Sequence, residues 1–197
     1  MSSKNRGTRE KILEAARLLL EESQGQGVRM SDIAKQAGVT RQALYLHFKA
    51  RADLLIAVTH YVDELKDVDQ RLVPSRTAKS GEERLHAFID AWGNYIPEIF
   101  PLAKAILAMS EQDEEADKAW RQRMLDMREE CEAAVRALAV EGRLCRDHGP
   151  EEATDILWTL LSVRNWELFR HECGWSQQHY LETQHTMAQK LLVQEKP

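Results

Sequence analysis

Apolar residues in this chain recur every three or four positions almost from end to end, and nowhere do they alternate over the length of a strand. Ile12, Leu13, Ala16, Leu19 and Leu20 stand at i, i+1, i+4, i+7 and i+8, one face of a helix over about 8–22. Gly25 and Gly27 are placed to end it. A short helix over 30–37 turns Ile33, Ala34 and Ala37 inward, and Gly38-Val39 makes a tight turn, because glycine takes the positive φ that such a turn needs. Thr40 is placed to cap a third helix carrying Leu44, Tyr45 and Phe48. A fourth runs over 51–72 and ends before Pro74, and the polar stretch 73–80 reads as a linker. Ser80 with Glu83 is a capping-box pattern opening a helix that Pro97 breaks, and a shorter helix follows through Phe100, Ile106 and Met109. The long stripe of Trp120, Met124, Met127, Cys131, Val135 and Leu138 predicts a helix over 113–144. Pro150 suits the first turn of a helix to about 172, and Ser176 caps the last, with Tyr180, Gln184, Met187 and Leu191 on one side. The expected fold class is all-α, about nine helices.

A chain of 197 residues with 43% hydrophobic and 30% charged residues can bury a real core in one or two units. No apolar run approaches the roughly 20 residues that span a bilayer, and no apolar stretch of the signal-peptide kind follows Met1. Cys131, Cys145 and Cys173 are odd in number and lie in no CxxC pair, which suits free thiols in a reducing compartment. A cytoplasmic protein with no membrane partner is the expectation. The net charge of −5 is uneven. Residues 1–51 hold ten Lys or Arg against five acids, whereas the remaining residues carry −10. A basic block on an acidic body fits a polyanion-binding head, and equally a solvated segment laced with helical ion pairs.

The stretch from Ser31 to Lys49 decides more than charge does. Two short helices joined by a glycine turn make a helix-turn-helix, whose second helix can enter the major groove of double-stranded DNA. Its opening residues, Thr40, Arg41, Gln42 and Ala43, face bases in that arrangement. Arg41 can donate a fork to guanine, Gln42 can pair with adenine, and the Ala43 methyl can touch a thymine methyl. Tyr45, His47, Lys49 and Arg51 cluster near the helix end, where they can grip phosphates.

Asp32-Ile33-Ala34, Ala37-Gly38-Val39-Thr40, Leu44-Tyr45 and His47-Phe48-Lys49, followed by Asp53-Leu54-Leu55, resemble the tetracycline-repressor (TetR) family of bacterial transcriptional regulators. The first helix matches it too, and the resemblance covers about residues 6–56. Two departures stand out. Val28-Arg29-Met30 replaces the small hydroxyl residue that usually opens the second helix, which leaves Arg29 to offer a phosphate contact, and Ala43 replaces a frequent threonine.

The resemblance implies a homodimeric repressor. Its heads (1–51) read a palindromic operator, and its C-terminal domain (52–197) dimerises and binds a small-molecule effector. The residues are compatible with that. In the helix expected over 150–172, Ile156, Leu160 and Val163 line one side and Leu157, Leu161 and Leu168 another. Such a helix needs burial on both sides, by its own core or by a partner. Ile156, Leu160, Val163, Met187 and Leu191 are the dimer-interface candidates. Trp92, Tyr95, Met109, Trp120, Met124 and Trp158 are the ligand-pocket candidates, since aromatic and methionine linings suit apolar or planar ligands; helical stripes of this kind also simply form core. Asn165 or Arg123 could supply polar fixing. No metal site is expected: His171-x-Cys173 with His179 or His148 lacks a closed ligand spacing. No cofactor and no enzyme activity is expected either, for there is no GxSxG elbow, phosphate-cradling glycine loop or HExxH. The acidic run Glu111, Asp113, Glu114, Glu115 reads as a solvated face. The alternative to an effector-responsive regulator is a DNA-binding or adaptor protein that has the head but no small-molecule effector.

Overall fold

The structure, a computed structural model, describes residues 3–23 and 27–194, with side chains from Gly7 onward. Gly25 and the side chains of Lys4 and Arg6 lie outside the described residues. The chain is all-α, and among the described residues its one β feature is a bridge between Leu144 and Val193. In order the helices are α1 (Ser3–Ser23), α2 (Met30–Gln36), α3 (Arg41–His47), α4 (Arg51–Leu65), α5 (Val68–Arg76), α6 (Gly81–Ser110), α7 (Glu114–Val140), α8 (Pro150–Leu160), α9 (Val163–Glu167) and α10 (Gln177–Leu192). Two compact units result, one formed by residues up to Lys66 with Ile99–Met124, the other by Asp67–Glu98 with residues from Leu125 onward.

In the first unit, α1 packs on α2 and α4, and α2 on α3. The apolar face expected of α1 is the one it buries, through Ile12, Leu13, Ala16 and Leu20. Leu44 of α3 and Leu54, Leu55 and Val58 of α4 fill the space between. The expected helix over 51–72 stops at Leu65, because Asp67 adopts φ 52°, a left-handed conformation that Asp tolerates better than most residues.

In the second unit α5 begins at Val68 and runs to Arg76, so helix replaces the first half of the linker expected over 73–80. Pro74 is tolerated there because Gln70, whose carbonyl its missing N–H would have met, is exposed to water.

The two helices expected on either side of Pro97 are a single helix, α6, with Pro97 and Pro101 inside it. Proline at 97 leaves the carbonyl of Gly93 without its helical donor. Gln177 Nε2 of α10 donates to that carbonyl at 2.9 Å. Gly93 also lets α10 come close, since a Cβ there would lie 2.4 Å from Leu181 Cδ2. At the start of α6, a Cβ on Gly81 would meet the backbone N of Leu138 at 2.6 Å.

The helix expected over 150–172 is in fact α8, α9 and a π-helical turn at Leu168–Glu172. Ser162 restarts the chain as an N-cap, its Oγ accepting from the N–H of Asn165 at 3.2 Å. Ser176 caps α10 as expected, accepting from the N–H of His179 at 3.1 Å.

Candidate nucleic-acid interface

The helix-turn-helix is built by local rules acting in series. Arg29 is the N-cap of α2, and Asp32 reaches back to accept its N–H at 3.0 Å, which ties the helix start without the hydroxyl residue that is missing here. The exit from α2 is a Schellman turn. The N–H of Val39 donates to Ala34 O at 3.0 Å and that of Gly38 to Lys35 O at 3.1 Å. Gly38 sits at φ 67°, which an L side chain rarely adopts. Thr40 then caps α3, its Oγ1 accepting from the N–H of Ala43 at 3.1 Å.

With the turn fixed, the period of α3 sorts its side chains. Leu44 is fully buried and holds the helix down, and Phe48 is buried just beyond it. Arg41, Gln42, Tyr45 and Leu46 stand at i, i+1, i+4 and i+5 and are exposed, Leu46 by 82%. The Arg41 guanidinium lies over the Tyr45 ring at 5.6 Å, which orients the fork without using its N–H donors. Thr40, Lys49 and Arg29 are exposed as well, and Ala43 is half-buried. His47 is half-buried, its ring tilted against Phe48 at 6.4 Å. The Arg9 guanidinium covers Phe48 from α1 at 5.3 Å.

The head's other cations divide into open and engaged groups. Arg17 is paired with Glu14 and Glu21, both at 2.7 Å. Arg51, grouped by sequence with the phosphate contacts, is turned elsewhere. Its guanidinium pairs with Asp113 and donates to Val28 O at 3.3 Å and to Met109 Sδ at 3.2 Å. Glu115 accepts from the backbone N–H groups of both Arg51 and Ala52, at 3.1 and 3.4 Å, at the open end of α4. Asp113 and Glu115 are therefore structural partners of α4, not members of a solvated face. Sequence reasoning missed them because the pairing spans about sixty residues. An acidic pair beside the first turn of a helix was the only local hint.

The ligand-pocket candidates fall in both units. Met109, Trp120 and Met124 belong to the first and are half-buried. In the second, Trp92 donates from Nε1 to Leu161 O at 2.8 Å and meets Tyr95 edge-on at 5.9 Å. Trp158 Nε1 is buried without a hydrogen-bond partner, and so are the Tyr180 hydroxyl and both amide atoms of Gln184. Gln184 is 1% exposed. Tyr180 and Gln184 are one turn apart on the inner face of α10, and the spacing alone revealed only that they share a stripe. Of the two polar fixers, Arg123 pairs with Asp63 at 3.0 Å.

The dimer candidates divide too. Ile156, Leu160 and Met187 are half-exposed and Leu191 is exposed, whereas Val163, beyond the Ser162 break, is buried at 2% within its own chain.

A short exposed helix that carries Arg and Gln, locked to its neighbour by a glycine turn, has the geometry of a helix-turn-helix. Residues 12–58 match the family described as bacterial regulatory proteins, tetR family. The match covers about a quarter of the chain and marks the head as similar to the DNA-binding segment of those regulators. Over 64 residues the chain is 36% identical to nucleoid occlusion factor SlmA of Marinomonas sp., 32% of each chain, so the match spans about a third of that relative's length. Among solved structures it resembles a putative TetR-family transcriptional regulator from Rhodococcus sp. This structure has a TM-score of 0.75 and 19% identity, with 95% of this chain and 99% of that one covered. It also resembles a putative transcriptional regulator from Saccharomonospora viridis in complex with choline, with a TM-score of 0.71, 18% identity, and 95% and 98% covered. At these identities the likeness is one of fold. No helix among the described residues is long and apolar enough to cross a membrane.

Proposed function

We propose that this protein is an effector-responsive repressor that binds a palindromic operator as a homodimer in the cytoplasm. The exposed face of α3 carries this reading. Arg41, Gln42 and Tyr45 offer a guanine fork, an adenine pair and a phosphate contact on one side of a helix whose opposite side is pinned by Leu44. Thr40, Ala43, His47, Lys49 and Arg29 surround that face. Arg51 holds the head's own structure in this reading and leaves the phosphates to its neighbours. Residues 1–51 form the DNA-binding segment, and 52–197 the regulatory one.

Effector binding is supported by buried polar atoms without partners. Burying an amide with no hydrogen bond costs about 1–3 kcal/mol by mutational measures. Gln184 and the Tyr180 hydroxyl, with Trp158 Nε1, are suited to fix a small, mostly apolar guest, while Trp92 and Tyr95 supply aromatic surface. That the Saccharomonospora neighbour was solved with choline agrees with a small-molecule role. The half-exposed Ile156, Leu160 and Met187 and the exposed Leu191 are the partner-facing residues. The experiment is selection of bound sites from random duplex DNA. An enriched inverted repeat, lost in Arg41→Ala, supports the proposal, whereas binding without a preferred sequence overturns it.

A second reading, a DNA-binding factor without a small-molecule effector, is favoured by the name of the Marinomonas relative. That match covers 32% of each chain, so the unpaired polar atoms of the second unit weigh more.

A further inference from the structure

Leu46 is the chemical exception on the outer side of α3. It is 82% exposed, whereas the next large apolar side chain among the described residues of the first unit, Leu65, is 51% exposed. The core does not need it, because Leu44 and Phe48 already hold the helix down. Residues four apart on a helix share a row, one turn of about 5.4 Å from each other. The outer side of α3 therefore has two rows, Arg41 with Tyr45 and Gln42 with Leu46. The first row is engaged with itself, the Arg41 guanidinium lying 5.6 Å from the centre of the Tyr45 ring. In the second, an amide is followed by a bare isobutyl group.

What can meet that group follows from its chemistry and its neighbours. Leu46 has no donor or acceptor, so it cannot grip a phosphate or hydrogen-bond a base edge. Its exposed neighbours along α3 are Arg41, Gln42 and Tyr45, with Lys49 just beyond. A lone leucine among them is not the contiguous apolar patch of a few hundred Å² that marks a protein interface. A second copy of the same face would bring Arg41 and Lys49 against their own equivalents. The major groove of DNA, by contrast, presents one apolar group, the C5-methyl of thymine. We propose that Leu46 is a specificity-determining residue of this face, packing on a thymine C5-methyl about one or two base pairs from the base that Gln42 meets. The inference rests on the reading of α3 as the helix that enters the groove. Burying the methyl against Leu46 takes both from water, whereas cytosine turns a polar amino group to the same place. Ala43, the other apolar residue suited to such a contact, is half-buried and lies off both rows.

Uracil differs from thymine by that methyl alone, which makes the contact separable from all others. Sites selected from random duplex DNA by the full chain should carry a thymine at one position of each half-site that selection with Leu46→Ala no longer prefers. Replacing that thymine by uracil should weaken wild-type binding by about fourfold in each half-site, the contribution of one methyl-sized group. In Leu46→Ala, an exposed change to the best helix former, the same replacement should have no effect, so the two losses do not add. Binding of Leu46→Ala to random duplexes, and its salt slope, should match the wild type. Uracil effects that persist in full in Leu46→Ala would overturn the inference. So would an enriched site with no such thymine, or a loss on Leu46→Ala shared equally by random duplexes. Each of these leaves the reading of α3 standing as long as Arg41→Ala still loses the enriched site. Binding without any preferred sequence overturns both.

Discussion

Arg41 and Lys49 are both exposed cations of the head, yet they are expected to fail differently. Arg41→Ala should cost roughly 1–3 kcal/mol at one base position of each half-site and relax the preference there. Lys49→Ala should weaken all duplexes alike and flatten the slope of log K against log salt by about 0.9 for each phosphate no longer neutralised. Titrations at several salt concentrations separate the two. Arg51 supplies the contrast. Its guanidinium is held by Asp113 in a part-buried pair, so Arg51→Met should lower the stability of the first unit in urea by about 1–3 kcal/mol. The salt slope of the folded variant should stay unchanged. Thiol chemistry gives a further residue-level test. Burial pushes the Cys131 thiol well above its ordinary range, while Cys173 is exposed. A thiol reagent should therefore modify Cys173 in the native protein and reach Cys131 only on unfolding. At this scale the sequence was readable where the chemistry is local. Thr40 caps α3 and Leu44 anchors it, both as spacing implied. The direction of Arg51 was not readable, because Asp113 comes to it from another part of the chain.

Among the helices, the expectations that held were those fixed within one turn, such as the Gly38 exit and the Ser176 cap. Those that failed involve a break mended, or made, by something distant or weakly coded. Pro97 reads as a stop in sequence, but Gln177 supplies the missing donor from 84 residues away. Ser162 reads as a residue inside a helix, and instead restarts one. Two substitutions probe these junctions. Gly81→Ala places a methyl against the backbone of α7, which cannot move aside as a side chain can. The expected loss is at least the 1–3 kcal/mol typical of overpacking, seen as a lower midpoint in urea at unchanged slope. Gln177→Leu leaves the Gly93 carbonyl buried and bare, at a cost of about 1–3 kcal/mol, with faster amide exchange around the middle of α6 as the local signature.

For the whole molecule, the proposed assembly requires two heads to meet major-groove faces on one side of the duplex, about 34–36 Å apart for a one-turn spacing. Leu160→Glu puts a charge on the half-exposed residue assigned to the partner face. It should yield a monomer by light scattering that loses specific operator binding, while far-ultraviolet dichroism stays helical. A wild-type monomer on operator DNA would refute the arrangement. An effector that releases the operator must itself be weakened by operator to the same factor, because coupling free energy is reciprocal. Four of the five tryptophans, Trp92, Trp158, Trp166 and Trp175, lie in the second unit, so effector titration should alter intrinsic emission, and DNA titration should alter it less and chiefly through Trp120.

The repair of α6 by Gln177 bears on the order in which the chain acquires its shape. As the polypeptide is synthesised, the proline-marked middle of α6 emerges long before the residue that completes it. Closing that interval carries the entropy of a long loop, repaid only when α10 docks. The second unit therefore cannot finish folding helix by helix behind the ribosome. Pulse-labelled refolding should find the amides near Pro97 gaining protection together with those of α10, however early the ends of α6 have become ordered.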